Sequence, residues 1–289
     1  MQNIVINLNK PADMSSQQAV TKIKKLFKAK KAGHAGTLDP IASGVLLVCL
    51  DEATKITRFL SDLEKEYIVK IKFGERTDTF DSTGKVIETK PVDFLTEDKI
   101  LSALEKFTGA IKQKPPVYSA IKINGKRLYK LARKGIYVDV PERIVNINKI
   151  QAIAFNLPFF EFKVSCSKGT YIRSLCDDIG TYLDSVAHMV SLIRSRIGIF
   201  KIQEAFSFGD SEDRLNKAIY SIDSAVSHLN EIIIEPEDFK KLKNGFPHEI
   251  SNKTIGFETQ YIRLKNPQNI LLGIGKVDNN LIKIERLLN

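Results

Sequence analysis

Ile4, Ile6 and Leu8 alternate with Val5 and Asn7, the period of a short strand. Asn9-Lys10-Pro11 ends it, because proline cannot donate to a sheet ladder. Ser15 or Ser16 is placed to cap a helix running to about Ala29. Ala19, Val20, Ile23, Leu26 and Phe27 make its apolar stripe, with Lys22, Lys24, Lys25 and Lys28 opposite. Gly33 to Pro40 is rich in turn formers and reads as a loop. The unbroken apolar run Gly44 to Leu50 predicts a strand buried on both faces. Tyr67, Val69, Ile71 and Phe73 share one face of the next strand, and Arg76 to Gly84 is a polar turn. Thr96 caps a helix over Glu97 to Phe107, and Phe160, Phe162 and Val164 alternate on a further strand. Thr170 to Leu183 fits a helix with Ile172, Leu175, Ile179 and Leu183 inward. Glu204 to Asn230 is polar and helical or loop-like. The last sixty residues read as a small β-rich module with turn signals at Asn244-Gly245 and Asp278-Asn279-Asn280. Strands and helices mix without a βαβ rhythm, so the expected class is α+β rather than doubly wound α/β.

A chain of 289 residues, 43% hydrophobic and 27% charged, is long enough to bury a core without disulfides or metal clips. Lys and Arg number 44 against 34 Asp and Glu, a net charge of +10, which favours an anionic partner. Cys49, Cys166 and Cys176 form no CxxC pair, so a zinc ribbon or dithiol site is not expected and a reducing compartment is. The first eight residues lack a basic signal-peptide opening, and no apolar run reaches the length of a membrane span. The expectation is a cytoplasmic protein with no membrane partner.

Gly33 and Gly36 do not complete GxGxxG, and Ser167-Lys168-Gly169-Thr170 reverses the order of a phosphate-binding loop. No HxxxH, HExxH or Cys/His cluster suggests a metal. A reaction here would use side chains alone, with neither cofactor nor metal. Asp39 precedes Pro40, which biases it to an extended backbone just ahead of the buried strand. Such a carboxylate is either a turn residue bonding its own backbone or a general base or nucleophile. His34 is a loop residue or a catalyst. Arg173 is spaced to pair with Asp177 one helical turn on, worth about 0.3–0.5 kcal/mol. Tyr67 is by default a core tyrosine with its hydroxyl satisfied.

Lys10 to Lys31 holds seven lysines against one Asp, which a solvated face would also explain. Lys112 to Lys134 holds eight Lys or Arg and no acid, with adjacent prolines, an Asn124-Gly125 turn signal and Tyr118 and Tyr129 among the charges. Cations interleaved with tyrosines suit structured RNA, which is read through shape, phosphates and bases splayed onto aromatic rings.

Gly33-His34-Ala35-Gly36-Thr37-Leu38-Asp39-Pro40-Ile41-Ala42-Ser43-Gly44 resembles the signature of the bacterial tRNA pseudouridine synthase B family, TruB. Leu8-Asn9-Lys10-Pro11 with Met14-Ser15-Ser16 looks like the family's opening motif. Glu66-Tyr67, Arg76-Thr77-Asp78-Thr79, Pro116-Val117-Tyr118-Ser119-Ala120 and Cys166 to Ser174 follow in the family's order. The resemblance covers about residues 2 to 200. Ala35 stands where the family has Thr, Asn9 where it often has Asp, and Ile193-Arg194 where it commonly pairs two arginines at a phosphate contact. Leu242-Lys243-Asn244-Gly245 resembles part of a shortened RNA-binding PUA module.

This resemblance implies the pseudouridine synthase fold: a mixed, mainly antiparallel central sheet flanked by helices and loops. It implies a catalytic domain over 1–229 and a PUA-like module over 230–289. The implied reaction converts uridine 55 of the tRNA T loop to pseudouridine without cofactor, after the base is flipped from its stack. Asp39 matches the aspartate that attacks the flipped nucleotide. Arg173 matches the arginine paired with it, and a neighbouring cation favours a carboxylate's charged form. Tyr67 matches the tyrosine that stacks on the base, a contact worth about 1–3 kcal/mol. His34 matches the histidine that fills the gap the base leaves, and Lys10 and Tyr171 match residues lining the site. Residues 111–135 match a mobile basic loop that closes over RNA, with Lys126, Arg127 and Lys130 as its RNA contacts. The implied partner is the tRNA T-arm, bound by a monomer needing no guide RNA and no obligate protein partner. Two other readings remain: a non-catalytic RNA-binding or RNA-folding protein, and a guide-dependent synthase.

Overall fold

The computed structural model describes residues 2–119, 122–123, 125–128, 131, 136, 138–249 and 260–288. The chain opens with β1 (Ile4–Lys10) and α1 (Ser16–Leu26). Ser15 caps α1 in a reciprocal box with Gln18, and Ala19, Val20 and Ile23 form its buried face. Leu26, expected inward, is exposed, because the helix ends there and Phe27 caps it. β2 (Ala32–Ala35) then pairs with β3 (Ser43–Leu50). The expected loop is therefore a strand over its first half, with Gly33 opposite Cys49 and His34 opposite Val48.

α2 (Thr57–Ser61) leads into β4 (Lys65–Phe73), whose alternate residues are buried as its sequence predicts. β5 (Glu75–Thr77) and β6 (Val86–Thr89) form a small separate ribbon. After α3 (Glu97–Lys106), capped by Thr96, comes β7 (Gly109–Gln113). β8 (Lys122–Ile123) pairs with β9 (Lys126–Arg127) in the basic segment. β10 (Arg143–Asn156) and β11 (Phe159–Cys166) precede α4 (Ile172–Tyr182), followed by β12 (Ala187–Ile197), β13 (Phe200–Lys201) and β14 (Ile219–Ser221).

Among the described residues the main sheet has ten strands along the order β14-β1-β3-β12-β4-β11-β10-β7, with β2 and β13 attached to β3 and β12. Only the β3–β12 pairing in it is parallel. The α+β class with a mainly antiparallel sheet is thus the observed one. Alternation along β3 feeds two cores. Leu46, Val48 and Leu50 pack with α1, β4 and α4 residues, while Val45, Leu47 and Cys49 pack beneath α2. The expected burial of β3 on both faces holds because each face has its own apolar layer.

A second, five-stranded sheet starts at Asn230: β15 (Asn230–Ile233), β16 (His248–Glu249), β17 (Tyr261–Lys265), β18 (Leu271–Asp278) and β19 (Leu281–Leu287). It docks on α2. Arg58 lies over the rings of Phe59 and Tyr261 and binds Glu285 and the Tyr261 hydroxyl, and Lys55 donates to the Leu287 carbonyl at 2.9 Å. On its other side Arg263 and the buried Lys265 both bind Asp223 and Glu231, within 2.8–2.9 Å. No helix among the described residues is long and apolar enough to cross a membrane.

Candidate active site

The loop between β2 and β3 carries Asp39 and is bound from below at several points. The Ser16 hydroxyl donates to the Leu38 carbonyl at 2.9 Å and accepts from the Leu38 N–H at 2.8 Å. The Asp13 N–H donates to the Pro40 carbonyl at 2.8 Å. Arg194, almost fully buried on β12, donates to the carbonyls of Val45 at 2.7 Å and Gly36 at 3.0 Å. A buried guanidinium is tolerated where carbonyls satisfy its fork of donors. Gly44 lets this happen. Its φ is +102°, and a Cβ there would lie 2.3 Å from the Arg194 carbonyl oxygen. The carboxylate of Asp39 thus projects from backbone held on rigid elements.

Arg173 sits in the first turn of α4 and is 5% exposed. Its Nε lies 2.9 Å from Asp39 Oδ2, Nη1 donates to the Thr79 carbonyl at 3.1 Å, and Nη2 to the Tyr118 carbonyl at 3.0 Å. Asp81, also buried, approaches Nη1 at 3.5 Å. It is fixed in its turn by the Thr83 N–H at 3.0 Å and the Thr79 hydroxyl at 2.8 Å. One buried cation therefore stands between a buried carboxylate and a partly open one, and the open one faces a cavity. The i,i+4 pairing of Arg173 with Asp177 does not form, because Asp39 and Asp81 hold the guanidinium and Asp177 is taken by Arg76.

The cavity has a volume of about 270 Å³. Asp39, Tyr67, Tyr171, Arg173, Lys65 and Arg194 all line it. Tyr67 presents its ring from β4; burial pushes its hydroxyl pKa up, against the opposing charge of the nearby Arg194. The Tyr171 ring carries the Arg143 guanidinium at 4.7 Å from its centroid. Lys65 donates to the carbonyls of Ser61 and Leu63. Burial, reinforced by Arg194, pulls its pKa down to about 8. Three cations thus line the cavity with one accessible carboxylate, a field suited to an anionic ligand with an aromatic or apolar body.

The structure brings Asp39, Tyr67, Arg173 and Tyr171 together. Lys10 and His34 lie outside the cavity lining. Lys10 is fully buried and donates to the carbonyls of Met14 at 2.6 Å and Pro11 at 2.8 Å, tying down the backbone beside Pro40. Burial, with Arg194 adding to it, lowers its pKa to about 8. His34 is half-buried on β2. Lys126 and Arg127 lie on β9, and Lys130 falls outside the described residues. Arg194 is the floor of the Asp39 loop.

Sequence reasoning missed Lys65, Asp81 and Gln113. Lys65 had a signal, since it falls in register with Tyr67, Val69, Ile71 and Phe73 on the buried face of β4. Asp81 gave none beyond a polar turn. Gln113 binds the Tyr171 backbone from the end of β7.

Residues 24–172 match the TruB family pseudouridylate synthase N-terminal domain, and residues 173–235 match the tRNA pseudouridylate synthase B C-terminal domain. The tRNA pseudouridine synthase B of Haemophilus influenzae (strain PittEE) is 40% identical over 292 residues, spanning 98% of this chain and 94% of that protein. That of Clostridium tetani (strain Massachusetts / E88) is 41% identical over 287 residues, spanning 99% of both. Among solved structures, a chain of a Cbf5-Nop10-Gar1 complex matches with a TM-score of 0.76 and 28% identity, covering 99% of this chain and 85% of that one. A chain of an H/ACA RNP bound to a substrate RNA containing 2'-deoxyuridine matches with a TM-score of 0.74 and 25% identity, covering 100% and 86%. Joined to a carboxylate, an arginine and a tyrosine converging on one cavity, these matches mean that the chain belongs to the TruB family of pseudouridylate synthases.

Proposed function

We propose that the protein converts uridine 55 in the T loop of tRNA to pseudouridine, with Asp39 as the attacking group. The observation that carries this reading is the Asp39–Arg173 ion pair, 2.9 Å apart at the cavity that Tyr67 and Tyr171 share. The names of the relatives, similar over nearly the whole chain, support tRNA as the RNA.

The target uridine leaves its stack, at a cost of a few kcal/mol, and enters the cavity. Tyr67 offers a buried ring for stacking, and Tyr171 lines the same cavity. The Asp39 carboxylate attacks the nucleotide, the N1–C1′ bond breaks, and the ring turns. C5 then joins C1′, the bond that Asp39 formed to the nucleotide breaks and returns the carboxylate, the C5 proton leaves, and N1 takes up a proton, so no electrons are exchanged with a partner. Arg173 holds the carboxylate in place through each step, and Asp81 and the carbonyls of Thr79 and Tyr118 hold Arg173. The basic residues of 111–135 and the PUA-like module over 230–289 take the RNA backbone. Catalysis is by one chain on bare RNA.

Unmodified tRNA transcript tritiated at uridine C5 tests this. The wild-type protein should release label without guide RNA, and Asp39→Asn should not. Equal release by both would refute the role of Asp39. Release only with a guide would favour a guide-dependent enzyme, and tight binding without release a non-catalytic RNA protein.

A further inference from the structure

Residues 113–119 run along the first turn of α4 and are tied to it by four hydrogen bonds. The Tyr171 N–H donates to Gln113 Oε1 at 2.8 Å, and Gln113 Nε2 donates to the Tyr171 carbonyl at 3.0 Å. The Ser174 hydroxyl donates to the Lys114 carbonyl at 2.9 Å, and Arg173 Nη2 to the Tyr118 carbonyl at 3.0 Å. Gln113 is 1% exposed and ends β7, where it pairs with Arg143, whose guanidinium covers the Tyr171 ring.

Tyr171 is the cap residue of α4, and its own side chain makes no capping bond. Its N–H is satisfied by the Gln113 amide, which also donates to its carbonyl beside the helix's own Leu175 N–H at 3.0 Å. A primary amide offers a donor and an acceptor in one plane without charge. Gln113 therefore imitates a strand neighbour for a single residue. Two residues further on stands Arg173, and the direction of its guanidinium depends on where α4 begins.

We propose that Gln113 is a positioning residue for the Arg173–Asp39 pair: its two-point grip on the Tyr171 backbone sets the start of α4 and hence the approach of the guanidinium to the carboxylate. This rests on the reading of that pair as the reactive centre. Gln113 touches no reacting atom, so its loss should fall on kcat and leave RNA affinity in place.

Replacement by Glu separates this role from simple packing. The ionised Gln113→Glu side chain can accept from the Tyr171 N–H but opposes the Tyr171 carbonyl. Once protonated, it again carries one donor and one acceptor in nearly the amide's geometry. Burial holds such an acid's pKa above the usual carboxylate range. Single-turnover pseudouridine formation and tRNA affinity are measured between pH 5.5 and 8 for wild type, Gln113→Glu, Gln113→Leu and Asp39→Asn. At pH 8, Gln113→Glu should be about 10-fold slower than wild type, with tRNA Kd within about 2-fold. The deficit should shrink below about 3-fold at pH 5.5, while Gln113→Leu stays slow at both. Wild-type rates for both Gln113 variants, a Gln113→Glu deficit that ignores pH, or a loss confined to Kd would each overturn the proposal. An active Asp39→Asn would sink the reading of the site itself, whichever way Gln113 behaves.

Discussion

Arg194, Lys10 and Lys65 are buried cations, and each lysine lies close enough to the guanidinium to feel its charge. Each is tolerated because backbone carbonyls replace its lost water. Lysine cannot reproduce the planar fork of Arg194, which reaches Val45, Gly36 and Thr37 together. Arg194→Lys should therefore fold, lose about 1–3 kcal/mol of stability through an orphaned carbonyl, and lower kcat/KM about 10-fold or more. Thermal melts and tritium release would measure both. Asp178 behaves in the opposite sense. Burial, with Asp177 and Glu142 nearby, pushes its pKa up to about 7 from 3.8. The folded state thus holds a proton that the unfolded chain has lost between about pH 4 and 7, so this group costs stability as pH rises through that window. Asp178→Asn should raise Tm at pH 8 by about 2–4 °C, a gain near 1 kcal/mol after allowing for solvent access at a half-buried site. The gain should vanish at pH 4, and an equal gain at both values would disprove the assignment.

At the scale of elements, the Asp39 loop is held by what flanks it. Gly44→Ala would drive a methyl group into the β12 backbone at a positive φ, and should cost about 2–5 kcal/mol, read as a fall in Tm or in urea midpoint. Ser16→Ala strips both polar groups of Leu38 of their partner at once, and should cost about 2–3 kcal/mol and slow turnover by loosening Asp39. Elements whose pattern matched one environment were legible in the sequence: β3 through its unbroken apolar run, β4 through its alternation, α1 and α3 through their caps. β10 and β12 were not. Bulges after Ile147, Ala152, Met189 and Arg194 break their period of two. β12 also buries His188 and Arg194, which composition assigns to a surface. At Asp39 residue type and loop chemistry left a turn residue and a nucleophile both open, and only the family motif singled it out. The site was not legible at Asp81 or Gln113, whose roles depend on partners 92 and 58 residues away in sequence.

Over the whole molecule, charge is unevenly shared. Residues 230–289 hold nine Lys and Arg against eight Asp and Glu, so nine of the ten net positive charges belong to the first 229 residues. RNA affinity should therefore depend chiefly on that part. Replacing Lys126, Arg127 and Lys130 together with Gln should reduce the slope of log K against log salt by about 2–3, if each meets one phosphate. The paired changes Lys243→Gln and Lys283→Gln in the second sheet should alter it by less than that. Equal effects would contradict the charge division, and filter binding across a salt series decides it.

α2 is five residues long, yet its two ends belong to different tasks. Arg58 and Phe59 grip the second sheet, while Ser61 lines the cavity and accepts from Lys65. Three residues of helix span about 5 Å. So short a strut leaves no slack, and the molecule is built like a calliper whose far jaw is bolted almost directly to its measuring tip. On the function proposed above, an RNA resting on both jaws would be gauged for length before its uridine met Asp39.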